Sequence, residues 1–114
     1  MKIYHNPRCS KSRDSFNLLT ESGLDFETIE YLKNPPTREE LKTLLAQLDM
    51  PAEALIRKGE ADYKEHFKGK NLTEDQWIDA MIAYPKLIER PIVVKGNKAV
   101  VGRPIEQVIA LLKN

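Results

Sequence analysis

The sequence predicts an α/β fold: a mixed four-stranded sheet with helices, interrupted by a helical insertion. Three observations carry this. The chain opens on a strand-helix-strand pattern, and the stretch 37–88 holds mainly helical periodicity. Two β-branched runs around Gly96-Asn97 then precede a last amphipathic helix. A strand-helix-strand opening favours a parallel pair joined by a right-handed crossover, whereas a Gly-Asn turn joins antiparallel neighbours. The sheet is therefore expected to be mixed.

Lys2 to His5 reads as a short strand, because Ile3 and Tyr4 are good strand formers and Pro7 stops the run. Ser10 to Ser22 reads as a helix, with Phe16, Leu18 and Leu19 as its apolar stripe and Gly23 as its C-terminal stop. From Leu24 to Leu32 the pattern becomes strand-like, through Phe26, Thr28, Ile29 and Tyr31, until Asn34-Pro35-Pro36 breaks it. Thr37 and Glu40 form a capping-box pattern ahead of Leu41, Leu44, Leu45 and Leu48, and Pro51 starts a short helical stretch toward Ile56. The segment from Lys58 to Asn71 is polar and weakly patterned. Thr73 and Gln76 repeat the capping-box pattern before Trp77, Ile78, Met81 and Ile82, and Pro85 stops that helix. Trp77 and Met81, at helical spacing, read as core. Pro91 to Val94 and Ala99 to Val101 form the hairpin strands, and Pro104 opens the last helix with Val108, Ile109, Leu111 and Leu112. This order makes a thioredoxin-like fold the natural candidate, as a single domain over residues 1–114 with the helical insertion at about 37–88.

Composition narrows the function classes. The 18 Lys and Arg are nearly balanced by 17 Asp and Glu, giving a net charge of +1 with both signs interspersed. Neither nucleic acid nor an anionic membrane is expected as a partner, since those call for a clustered basic face. No apolar run approaches the ~20 residues of a membrane span. The N-terminus lacks the apolar stretch of a signal peptide, so the expected location is cytoplasmic, where thiols stay reduced. A single cysteine excludes an internal disulfide and a multi-cysteine zinc cluster. No Gly-rich phosphate loop of the Walker type is present, and Glu39-Glu40 and Glu74-Asp75 suit helix starts rather than acid-base pairs.

The informative segment is His5-Asn6-Pro7-Arg8-Cys9-Ser10-Lys11-Ser12-Arg13. Cys9 falls where the first strand ends and the first helix begins. There, unpaired backbone N–H groups and the helix dipole favour negative charge. A thiolate is stabilised at such a place, so its pKa is expected below the free value of ~8.5, and an oxyanion can bind the same N–H groups. Ser10 and Ser12 add hydroxyl donors, and Arg8, Lys11 and Arg13 add positive charge. A lone cytoplasmic cysteine is commonly a small core residue; the polar, basic surroundings of Cys9 point instead to a nucleophile. With no second thiol in the chain, an oxidised Cys9 needs an external thiol for its release, either a small molecule such as glutathione or a protein such as glutaredoxin.

Three further arginines mark structural boundaries. Arg57 ends a helical stretch, while Arg90 and Arg103 each precede a proline, which biases them toward extended backbone. Guanidinium grips tetrahedral oxyanions through paired hydrogen bonds. Spacing alone leaves each of the three open to a surface role.

Taken together, Tyr4-His5-Asn6-Pro7-x-Cys9-x-x-Ser12-Arg13, Tyr31-Leu32-x-Asn34-Pro35-Pro36, Leu55-Ile56-Arg57-Lys58, Arg90-Pro91-Ile92-Val93-Val94 and Arg103-Pro104 resemble the arsenate reductase family that works with glutathione and glutaredoxin. The resemblance runs along nearly the whole chain, in order. It implies a thioredoxin-like fold with inserted helices, Cys9 as nucleophile, and arsenate or a similar oxyanion bound by Arg57, Arg90 and Arg103; Ser10 and Ser12, read from their place beside Cys9, are counted as further substrate-binding residues. It implies that His5 tunes the thiol, and it raises the expectation of a cis Arg90–Pro91 bond well above that of an ordinary X-Pro bond. No bound cofactor or metal is implied; glutathione is a co-substrate and glutaredoxin a protein partner. Arg8 and Lys11 depart from the small uncharged residues of better-known members. His66 matches none of these motifs and is read as a surface residue. Two other functions fit the same residues: a general glutathione-dependent thiol reductase, and a redox-sensing transcription regulator of the Spx type. Cys-x-x-Ser in place of Cys-x-x-Cys weighs against a disulfide switch in the latter.

Overall fold

Ile3 is fully buried at the centre of the first strand. In the computed structural model, which describes residues 1–113, that strand, β1 (Lys2–Tyr4), is an inner strand of a four-stranded sheet. The chain divides into two compact units, Met1–Asn34 with the stretch from Arg90 onward, and Pro35–Glu89.

In the first unit, α1 (Ser10–Glu21) follows β1, and Gly23 at φ +68° makes the left-handed turn that ends it. β2 (Glu27–Ile29) pairs parallel to β1, with Ile3 opposite Thr28. β3 (Ile92–Lys95) lies antiparallel on the other side of β1, with Tyr4 opposite Ile92, and β4 (Lys98–Val101) continues the sheet antiparallel to β3. The order β2-β1-β3-β4 is the predicted thioredoxin-like mixed sheet. α5 (Glu106–Leu112) closes the unit. Ile3, Leu19, Val93, Val108 and Leu111 form the core, because strand alternation and helical spacing turn them to one side. β2 is much shorter than the predicted 24–32. At Glu30 the chain leaves the ladder for a turn in which the Lys33 and Asn34 amides donate to the Glu30 carbonyl, and Tyr31 is buried after the strand has ended.

The second unit holds α2 (Arg38–Leu48), α3 (Ala61–His66) and α4 (Glu74–Ala83), with 3₁₀ turns at Ala52–Leu55 and Pro85–Leu87. Both predicted capping boxes form, at Thr37 with Glu40 and at Thr73 with Gln76. Leu41, Leu44, Leu45 and Leu48 of α2 and Trp77, Ile78 and Met81 of α4 are buried. The Glu74 carboxylate accepts the Ala52 amide at 3.0 Å, and Arg57 N–H donates to the Leu87 carbonyl at 2.7 Å. α3 lies where the sequence is weakly patterned. It has no buried residue, so it leaves no apolar stripe to read.

Gly102 follows β4 in a tight space. A Cβ there would stand 2.7 Å from Ser15 Oγ, 2.8 Å from Pro91 Cγ and 3.2 Å from Val108 Cγ2. Gly102→Ala is expected to destabilise by about 1–3 kcal/mol through overpacking, seen as a lower urea midpoint with an unchanged slope. An unchanged midpoint would show that these neighbours yield freely.

Candidate active site

Sheet register decides which groups meet. Tyr4 faces Ile92, and Ile92 faces Val101, so the end of β1 lies beside the start of β3, which lies in turn beside the end of β4. The ladder continues one step further, with Gly102 N–H donating to the Pro91 carbonyl at 2.8 Å. Arg90 and Arg103 come next, face each other across the hairpin, and emerge where α1 begins. Arg103 Nε donates to the Arg90 carbonyl at 2.7 Å. The Arg90–Pro91 bond is cis, and so is Arg103–Pro104, for which the sequence carries no signal.

Cys9 is the N-cap of α1, with extended backbone (φ −96°, ψ 123°). The turn leading to it is closed by its own polar groups. Asn6 accepts the Cys9 amide on its carbonyl and the Arg8 amide on Oδ1, each at 3.0 Å. Arg13 Nη1 donates to the Pro7 carbonyl at 3.0 Å. Asn6 and Arg13 thus shape the loop. The sequence marked Asn6 only by its place before a proline at a strand end and within the motif Tyr4-His5-Asn6-Pro7-x-Cys9.

Cys9 as a residue is 8% exposed, and Arg103 Nη2 donates to its sulfur at 3.1 Å. Burial pushes its pKa up. The Ser12 amide, the Arg90 charge, the Lys11 amide and a hydrogen bond from the Arg90 guanidinium outweigh that, and the pKa falls below the ordinary thiol value. Alkylation of Cys9 by iodoacetamide should therefore reach half its plateau rate at a pH below that of a free thiol, and a midpoint at ~8.5 or above would contradict this cradle. Because the fold lowers the pKa of this acid, its contribution to stability is complete above the unfolded thiol value. That contribution disappears as pH falls through the folded value.

Arg90 holds a further feature. Its Nε and Nη1 are buried without a hydrogen-bond partner. A guanidinium with two buried donors unmet, beside a sulfur that favours the anionic state, suits an oxyanion able to accept both.

His5 is buried with Nδ1 2.6 Å from Ser12 Oγ, and its ring stacks on Phe16 at 4.9 Å. Burial lowers its pKa, Glu30 opposes this, and Arg13 adds to the lowering, so the imidazole is neutral at pH 7. Ser12 Oγ also accepts the Asn6 amide at 3.0 Å. The expectation of a hydroxyl donor at Ser12 facing substrate is corrected here. Ser12 is fully buried and its hydroxyl is committed to His5 and Asn6, so it offers the sulfur its amide instead. Ser10 is exposed at the start of α1. Arg57 belongs to the second unit, where its Nη1 donates to Glu60 Oε2 at 2.7 Å. His66 is half-buried rather than a bare surface residue, its ring stacked on Tyr84 at 5.1 Å. Among the described residues no cluster of His, Cys, Asp or Glu is able to hold a metal ion.

Residues 4–111 match the model of the ArsC family. An arsenate reductase from Neisseria meningitidis serogroup A is 43% identical over 98% of this chain and 97% of that protein. YfgD of Escherichia coli K12, named as uncharacterized, is 48% identical over 98% of this chain and 96% of that protein. Among solved structures, one described as an arsenate reductase from Vibrio cholerae superposes with a TM-score of 0.91 at 46% identity, covering 96% of this chain and 97% of that one.

Proposed function

The chain belongs to the ArsC family, and from that premise we propose that it reduces arsenate to arsenite, with Cys9 as nucleophile and glutathione and glutaredoxin as electron donors. One observation carries the reading. The Cys9 sulfur lies against the amides of α1 and against Arg90 and Arg103, and Arg90 keeps two buried donors for an oxyanion.

The Cys9 thiolate attacks arsenic(V). A sulfur–arsenic bond forms, and one oxygen leaves as water after taking up protons. Arg90 and Arg103 neutralise the charge gathered on the remaining oxygens. Glutathione then attacks the adduct, since the chain has no second cysteine. Glutaredoxin takes over the glutathione as a mixed disulfide, which leaves arsenic(III) on Cys9; water then adds to the arsenic, the sulfur–arsenic bond breaks, and arsenite leaves with Cys9 restored. Across the cycle two thiols become one disulfide and arsenic falls from V to III. Neutral His5, held by Ser12, positions the turn and tunes the thiol. The role of Arg57 on the oxyanion rests on the family motif at Leu55-Ile56-Arg57-Lys58. Ser10 at the helix start adds a hydroxyl. The two units are read as one domain with an insertion. No helix among the described residues is long and apolar enough to cross a membrane, and the proposed setting is the reducing cytoplasm.

The test is arsenate-dependent NADPH oxidation with glutathione, glutathione reductase and glutaredoxin. Turnover is expected. A folded protein that gives none, yet still removes glutathione from mixed disulfides, is a general thiol reductase instead.

A further inference from the structure

The first unit contains a cavity of about 420 Å³ lined by Lys11 and Asp14 of α1 and by Arg103, Ile105 and Glu106. We propose that this cavity seats the second thiol of the reaction, a small peptide thiol carrying both carboxylate and ammonium groups. The inference rests on Cys9 being a nucleophile released by an external thiol.

Arg103 ties the cavity to the chemistry. It lines the cavity, and its Nη2 lies 3.1 Å from the Cys9 sulfur, so a ligand seated there is one side chain from the reacting atom. The volume falls within the ~300–1,000 Å³ of small-molecule pockets. Lys11 and Asp14, three residues apart, share a face of α1, and Glu106 stands at the start of α5. None of these three side chains is paired with another described residue. An inorganic oxyanion gains nothing from two carboxylates at its edge, whereas an amino-acid-like ligand uses both signs. Its carboxylates meet Lys11 and Arg103, and its ammonium meets Asp14 and Glu106.

The test leaves arsenate out. Glutathione disulfide is the probe, and bis(2-hydroxyethyl) disulfide is the uncharged control. The Cys9 thiolate attacks one sulfur of the probe, and the probe's S–S bond breaks. A Cys9–glutathione disulfide forms, and one glutathione thiolate leaves and takes a proton from water. Mass spectrometry follows the rate, and the ratio of the two rate constants cancels any change in Cys9 reactivity. With wild-type protein the rate is expected to saturate with glutathione disulfide. Lys11→Glu exchanges an attraction for a repulsion and should lower the ratio about tenfold. Arg8→Glu, the same charge change outside the cavity lining, should leave the ratio largely intact. Asp14→Asn with Glu106→Gln should lower it about threefold, although removing negative charge helps an anionic probe at long range. Equal losses in Lys11→Glu and Arg8→Glu, or a faster double variant, would overturn the cavity in favour of a general field. Failure of arsenate turnover would leave these ratios unchanged, so the two ideas fall separately.

Discussion

Cys9→Ser should lower arsenate turnover by at least about a thousandfold while leaving arsenate binding within a few-fold of wild type. The two halves of this expectation have different physical origins. A serine hydroxyl stays protonated in the same cradle at neutral pH, so the nucleophile is lost outright. The groups around it stay: the Ser12 and Lys11 amides, the Arg90 guanidinium and the Arg103 Nη2 that lies 3.1 Å from the sulfur. Calorimetric titration with arsenate and steady-state assay of one preparation measure both halves. Residual turnover within about tenfold of wild type would mean that the sulfur is not the attacking atom. Binding lost together with turnover would mean that Cys9 serves as a ligand or a structural group rather than a nucleophile.

The fold was legible where packing and capping left a mark in the sequence. Thr37 with Glu40 and Thr73 with Gln76 announce two helix starts, and Gly96-Asn97 announces the hairpin, because each turn or cap needs those residue types. Three features were hidden for definite reasons. α3 buries nothing, so no periodicity records it. β2 ends at Ile29, although strand formers continue to Tyr31, because the turn at Glu30 takes the chain out of the ladder. Gly102 reads as an ordinary strand-end glycine, and only the approach of Ser15, Pro91 and Val108 shows that a side chain there would collide.

The place of Cys9 was legible, since its position between strand and helix follows from local pattern. The meeting of Arg90 with Arg103 near that sulfur was not, because it depends on the register that sets Tyr4 against Ile92 and Ile92 against Val101. Residue type misled at Ser12. A serine near a nucleophile reads as a substrate donor, yet burial turned its hydroxyl to His5 and Asn6 and left its amide to act. Arg57, drawn to the oxyanion by motif, is paired with Glu60 in its own unit.

Arg90→Ala should cut kcat/KM for arsenate by about 100- to 1,000-fold, roughly 3–4 kcal/mol, as loss of a fixed oxyanion donor does. It should also raise the pH midpoint of Cys9 alkylation, since the Arg90 charge and hydrogen bond both favour the thiolate. Arg103 should keep its place, because it is held by the Arg90 carbonyl, which the substitution preserves. Arg90→Lys separates the two roles. It restores a charge near the sulfur but not the planar fork, so the alkylation midpoint should recover more fully than turnover. Stability is the sharpest discriminator. Nε and Nη1 are buried with no partner, and removing unmet buried donors relieves a desolvation cost. The urea midpoint of Arg90→Ala should therefore hold or rise while activity collapses. A fall in stability in step with the loss of activity would make Arg90 a structural residue, and the oxyanion would then need another anchor.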